Sequence, residues 1–162
     1  MNTKPKQGVK RAFHRNGIVA VEESHRGQKL HGRCRHWHRN GKLAGEVFYR
    51  DGLLHGVCRQ WNERGKLLGS FRMTHGTGIQ KVWHDNGRLQ LEFATVNGEF
   101  CGRKRLWLRD GTVLSNSLYL YGRAVTPDEY RKATAKNRHL PKFHGRFTKR
   151  PLPNRARQKH IH

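Results

Sequence analysis

The residues best suited to metal chemistry lie at alternate positions of one short segment, Cys34, His36 and His38. Alternate residues of a β-strand point the same way, so two of them can bind a zinc ion while a neighbouring strand supplies Cys58. Three in a row span too far for one ion, and the other histidines are spread along the chain. We therefore expect no metal site and no cofactor, and we expect Cys34, Cys58 and Cys101 to be free thiols.

Catalytic constellations are missing from the sequence. Nucleophilic catalysis needs a serine or cysteine with a positioned base, and glycoside hydrolysis needs two inward carboxylates. The acidic residues are few, 11 Asp and Glu in 162 residues, and most stand at repeat or turn positions. The segment Gly76-Thr77-Gly78 is too short for a phosphate-binding loop. We therefore predict that the protein is not an enzyme.

Basic and aromatic residues recur together along the chain. A cation stands three positions after a repeated glycine, and we name this set the cationic ladder: Arg11, Arg35, Arg59, Lys81 and Arg105. An aromatic residue follows two positions later in every case, the aromatic column: Phe13, Trp37, Trp61, Trp83 and Trp107. Residues two apart share a strand face, so each cation can stack on its ring and direct its charge outward. The ladder is either a binding strip with charges about 9–10 Å apart or a set of solvated stems covering the aromatic rings.

These columns belong to a repeat of about two dozen residues. The repeats begin at Gly8, Gly32, Gly56, Gly78 and Gly102, with spacings of 24, 24, 22 and 24. A glycine stands nine positions on in each repeat, and a second glycine follows near its end. Two short strand-like runs separated by such turn residues predict a β-hairpin in every repeat.

The turn residues predict which side chains share a face. Arg64 precedes one of the first-turn glycines, and a two-residue turn with φ > 0 at both positions penalises arginine there. We therefore predict a three-residue loop, a type I turn with a G1 bulge, in which only the glycine is left-handed. This loop places Trp37 opposite Leu43 and predicts one apolar face with Trp37, Leu43, Val47 and Tyr49, continued by Leu53, Val57 and Trp61. It predicts an opposite, mostly solvated face with Cys34, His36, His38, Lys42 and Glu46.

The predicted architecture is all-β, an elongated single-layer antiparallel β-meander of five hairpin repeats over residues 8–125. A flexible lead covers residues 1–7. Thr126 as N-cap, Pro127 at the first helical position and Glu129 three residues after the cap predict a capping helix over residues 126–137. Tyr130 and Ala133 fall on one face of that helix and can pack on the fifth hairpin.

Residues 138–162 read as a basic, disordered tail. They contain three prolines, few large apolar residues and no acidic residue, a composition that is typical of disordered segments. The tail residues expected to make contacts are Arg146, Lys149, Arg150, Arg155, Arg157 and Lys159. They form either an arm for nucleic acid or an anionic surface, or a solvated tail that aids solubility.

The recurring His-Gly, Trp, Asn-Gly-x-Leu, Glu, Tyr and Asp-Gly columns resemble MORN repeats, in the variant found in bacterial antitoxin-like proteins of the YwqK type. The resemblance covers about residues 8–123. It implies a single-layer hairpin array that acts in protein–protein interaction, sometimes with acidic lipids, or as a toxin-neutralising partner, and it brings no catalytic residues. The chain departs from that family in its net charge of +23.

Charge and hydropathy define the expected partners. Thirty-four Lys and Arg against 11 Asp and Glu favour an acidic protein, with nucleic acid or anionic lipid as alternatives. An uncovered apolar stripe would also permit self-association. The sequence shows no signal peptide, no transmembrane segment and an odd number of cysteines, so we expect a cytoplasmic protein.

Overall fold

The computed structural model describes residues 6–142, which form one twelve-stranded antiparallel sheet and one helix. The strands are β1 (Gln7–Phe13), β2 (Val19–Arg26), β3 (Lys29–Trp37), β4 (Leu43–Arg50), β5 (Leu53–Leu54), β6 (Gly56–Trp61), β7 (Leu67–Thr74), β8 (Thr77–Trp83), β9 (Leu89–Val96), β10 (Glu99–Trp107), β11 (Val113–Leu120) and β12 (Arg123–Val125). They are followed by helix α1 (Pro127–Lys136). Successive strands are neighbours throughout, except that β5 is a short extension of β6 that also pairs with β4. The prediction of a single-layer all-β meander with a short C-terminal helix is confirmed.

The first turn of each hairpin is the predicted three-residue loop. In the second repeat the His38 amide donates to the Lys42 carbonyl oxygen, and Gly41 has a φ of 81° while Asn40 does not have positive φ. Trp37 accordingly pairs with Leu43, as predicted. The closing turn differs, since both Asp51 and Gly52 have positive φ and the turn contains two residues.

A β-bulge beside that loop overturns part of the predicted face. Trp37 pairs with Leu43 but His36 pairs with Gly45, so one extra residue stands on β4 between these pairs. An extra residue reverses the alternation of the side chains that follow it. Val47 therefore pairs with Cys34, and Tyr49 lies on the same face as Val47. The prediction that Val47 and Tyr49 share the face of Trp37 is wrong.

The sheet has two distinct faces. We name the tryptophan face after the cationic ladder with Trp37, Trp61 and Trp107, and the cysteine face after Cys34 and Cys58. The Trp83 ring instead stacks on Phe71, the strand partner of Cys58. On the cysteine face Cys34, Cys58 and Met73 are at most 2% exposed. The prediction that Cys34 belongs to a solvated face is therefore wrong, and Glu46 is also misplaced by it, because Glu46 pairs with Arg35 on the tryptophan face.

The sheet opens between the third and fourth repeats, where the sequence is two residues short. Strands β7 and β8 pair only at Met73 with Gly78 and at Thr74 with Thr77. The Trp83 ring then reaches β7, where a Cβ on Gly69 would lie 2.3 Å from it. The two sides of this opening are joined by Gln60, which accepts from the Trp83 amide at 3.1 Å and donates to its carbonyl oxygen at 2.9 Å.

Helix α1 begins with the predicted capping box. The Glu129 amide donates to the Thr126 hydroxyl, and the Thr126 amide donates to the Glu129 carboxylate at 2.7 Å. The Tyr130 side chain is 1% exposed and its hydroxyl donates to the Pro141 carbonyl oxygen at 2.6 Å. A Cβ on Gly102 would lie 3.5 Å from Pro141, so the segment after the helix packs on the fifth repeat. Burial raises the pKa of Tyr130 to about 12.

Candidate binding face and its ion pairs

Strand pairing places the cationic ladder in one row across the tryptophan face. On one half of the sheet, Arg11 pairs with Glu22 and Glu22 with Arg35; Arg35 pairs with Glu46 and Glu46 with Arg59. Cations therefore stand on every second strand, and the strands between them supply a second column. On the first side of the opening between β7 and β8 this ion-pair row contains Arg11, Glu22, Arg35, Glu46, Arg59 and Ser70. On the other side, with no pairing at Ser70, it continues with Lys81, Glu92, Arg105 and Asn116.

Each ladder cation contacts a carboxylate of the row. Glu22 accepts from Arg11 at 2.8 Å and from Arg35 at 2.5 Å, and Arg59 donates to Glu46 at 3.2 Å. In the fourth and fifth repeats Glu92 lies 2.6 Å from Arg105 and 3.7 Å from Lys81. The three glutamates are 14–17% exposed, whereas the five cations are 29–57% exposed. The carboxylates therefore lie beneath a more exposed layer of positive charge.

Two arginines of the ladder also stack on the aromatic column. The Arg35 guanidinium carbon is 5.1 Å from the centre of the Trp37 ring, and that of Arg105 is 4.9 Å from the centre of Trp107. Each guanidinium is thus held between an indole face and a carboxylate, which orders its long side chain. These two arginines therefore present preorganised charge.

The double ion pair changes the titration of Glu22. Hydrogen bonds from Arg35 and Arg11 hold the pKa of this carboxyl below its usual value. A carboxylate whose pKa is lower in the folded chain stabilises the fold above its unfolded pKa. That contribution is lost as the pH falls through the folded pKa, so the ion pairs of Glu22 weaken in acid.

Replacing this carboxylate is expected to remove part of the acid sensitivity. Glu22→Gln should lower the melting temperature at pH 7, where the carboxylate is charged, and the difference from the wild type should shrink as the pH is lowered towards 3. Thermal unfolding followed by circular dichroism at pH 7, 5 and 3 measures this. Glu99→Gln, at an exposed position outside the row, is the control. A Glu22→Gln difference that is constant with pH would contradict the role of the ion pair.

Exposed apolar side chains lie beside the ion-pair row on the same face. Phe13 is 60% exposed, Val9 57%, Ile79 50% and Leu67 49%. Trp37 and Trp61 are partly exposed. The tryptophan face therefore combines exposed arginine, aromatic and aliphatic groups in parallel strips.

The histidines have a structural role that the sequence reasoning missed. His14, His38 and His84 each lie with Nε2 at 2.8–3.0 Å from the carbonyl oxygen of the aromatic residue in the next repeat. Asn16, Asn40 and Asn86 donate to a carbonyl oxygen 23 residues further on. The constant spacing of His and Asn before the turn glycine indicates these hydrogen bonds between successive repeats. Within residues 6–142 no group of three metal-ligating side chains is found.

The hydrogen bonds between successive repeats change at the opening of the sheet. The third repeat has Asn62 and Arg64 where the second has His38 and Asn40, and Gln60 supplies the bond to Trp83 instead. A cleft of about 630 Å³ opens there between the turns of the third and fourth repeats. Its lining includes Trp61, Leu68, Glu63, Asp85 and Arg109.

The predicted tail contacts, from Arg146 to Lys159, lie outside the described residues. Among the residues that are described, no helix is long and apolar enough to cross a membrane.

Comparison with protein families supports the repeat assignment. Residues 30–51, which span most of the second repeat, match the MORN repeat variant. No curated protein matches the chain. The chain is therefore similar, in this segment, to a type of repeat that is consistent with a binding module.

Proposed function

We propose that this chain is a non-enzymatic binding module whose tryptophan face binds an acidic protein. The observation that supports this best is the composition of that face, where an exposed layer of five cations lies beside tryptophan rings and exposed aliphatic side chains. Arginine and tryptophan are the residues that most often dominate protein interfaces, and apolar groups beside them supply buried area. The match to a MORN repeat fits a role in binding.

The alternation of charge favours a protein over a nucleic acid. A phosphate backbone carries only negative charge and would meet Glu22, Glu46 and Glu92 between the cations. A protein surface can place carboxylates over the ladder and hydrogen-bond donors near the glutamates. The net charge of +23 adds long-range attraction to an acidic partner.

The antitoxin-like resemblance suggests one form of this function. An acidic toxin would be neutralised by direct masking, with the hairpin array covering its surface. Nucleic acid and anionic lipid are the competing partners.

Removing the ladder charges is expected to weaken binding to an acidic probe. The triple variant with Arg35, Arg59 and Arg105 changed to Gln should bind fluorescein-labelled hexaglutamate at least about tenfold more weakly than the wild type at low salt. Fluorescence anisotropy titrations at increasing salt measure this, and the salt dependence of the variant should be shallower.

The matched control removes the same charge from exposed turn or strand-end positions. Lys29, Arg15 and Arg39 changed to Gln should weaken binding by less than about threefold, because these residues lie outside the ion-pair row. Equal losses in the two triple variants would show that net charge alone attracts the probe, and would contradict binding at the tryptophan face.

A further inference from the structure

The third repeat interrupts the ion-pair row at Ser70. Strand pairing sets Ser70 opposite Arg59, in the position that Glu22, Glu46 and Glu92 occupy in other repeats. Ser70 is exposed, and its hydroxyl forms no hydrogen bond within residues 6–142. The fifth repeat also lacks the acid, but there Asn116 accepts from Arg103 at 2.9 Å. Ser70 is therefore the place on the described face where the acid is missing and its position is not taken by another bond.

An additional arginine stands beside this gap. Arg72 lies two residues after Ser70 on β7 and therefore on the same face. It pairs with Val57 across the sheet, is exposed, and makes no ion pair with any described residue. The corresponding residues in the other repeats are Ser24, Phe48, Ala94 and Leu118, none of which is charged. The third repeat thus loses a negative charge and gains a positive one at the same site.

We propose that Arg59 and Arg72 form a binding site for a carboxylate of the partner, in the space beside Ser70. This inference rests on the proposed function and specifies where on the tryptophan face the acidic partner inserts an Asp or Glu side chain. The row provides the template for Arg59, since Glu22 and Glu92 each contact the ladder cation of the preceding strand, Arg11 and Lys81. Arg72 supplies the second cation from the strand of Ser70 itself. Guanidinium groups bind carboxylates through strong, charge-assisted hydrogen bonds. On the other side of β7, strand β8 does not pair with β7 at Ser70. A ligand can therefore reach the site through the opening of the sheet.

A carboxylate built into the chain should compete for this site. In the full-length protein, Ser70→Glu is expected to weaken hexaglutamate binding about tenfold, because the new side chain takes the position of the ligand. Ser70→Gln has the same length without the charge and should change the affinity by less than about twofold. Ser115→Glu adds the same charge at an exposed serine on the cysteine face and should also have less than about a twofold effect.

A second variant tests the arginine directly. Arg72→Gln should weaken hexaglutamate binding by about fivefold or more, with unchanged circular dichroism because Arg72 is exposed and has no ion pair to lose. If Ser70→Glu and Ser115→Glu weaken binding equally, or if Arg72→Gln has no effect, the site is refuted while the proposed function stands.

A different result would refute both proposals. Labelled oligothymidylate of the same charge serves as the second probe for the wild type and the variants. If the wild type binds oligothymidylate and does not bind hexaglutamate, the face binds phosphate and the acidic-protein function fails with the site.

Discussion

Gly76→Ala is expected to cost about 3 kcal/mol or more of unfolding free energy. Gly76 lies in the closing turn of the third repeat with a φ of 72°, and an added Cβ would stand 2.5 Å from the Gly98 amide nitrogen. That amide donates to the Gly76 carbonyl oxygen at 3.0 Å, so the clash would separate two stacked turns. The strain of a left-handed alanine adds about 1–2 kcal/mol to the clash with the backbone. Urea denaturation followed by circular dichroism measures the loss.

Gly52→Ala isolates the contribution of the clash. Gly52 occupies the corresponding turn of the second repeat with a φ of 89°, and a Cβ there meets nothing within 4 Å. It should therefore cost only the conformational strain, about 1–2 kcal/mol. Equal losses in the two variants would contradict the close stacking of the third and fourth closing turns.

Gln60→Leu is expected to cost about 2–3 kcal/mol of unfolding free energy, the largest effect after that of Gly76→Ala. Its side chain makes two hydrogen bonds to the Trp83 backbone across the opening of the sheet, each worth about 1 kcal/mol, and their loss leaves partly buried backbone groups unpaired. We also expect the tryptophan fluorescence of the native state to shift, since Trp83 packs on Gly69 beside this contact. Urea denaturation with both signals measures the effect.

Gln80→Leu provides the matched control for that change. Gln80 makes one longer hydrogen bond, 3.3 Å to the Thr95 hydroxyl, so its replacement should cost less than about 1 kcal/mol. An equal or smaller loss for Gln60→Leu would contradict the role of Gln60 as the link between the third and fourth repeats.

Local turn chemistry made the hairpins predictable from the sequence. The glycine at 41 and the arginine at 64 were enough to predict the three-residue loop and the pairing of Trp37 with Leu43, because both depend on backbone sterics within a few residues. The capping box at Thr126 is equally local. The bulge on β4 has no such signal, since Ala44 has no special conformational preference, and one extra residue was enough to reverse the faces of Val47 and Tyr49.

The ion-pair row was missed for the same reason. The column containing Glu46 was visible in the sequence, but the predicted register lacked the second bulge, on β4, and therefore placed Glu46 on the face opposite Arg35. The burial of Cys34 and Cys58 depends on tertiary packing across strands, which periodicity does not report. The role of Gln60 required the sheet to open between β7 and β8, and the spacing of 22 instead of 24 residues does not by itself indicate an opening.

Affinity purification from the native source tests most directly whether the tryptophan face binds an acidic protein. Wild-type protein and the variant with Arg35, Arg59 and Arg105 changed to Gln are each immobilised, incubated with extract either treated or not treated with nuclease, and washed. We predict that the wild type retains a near-stoichiometric acidic protein that the triple variant does not retain. Bound material that disappears entirely on nuclease treatment, or an acidic protein retained equally by both, would contradict the claim.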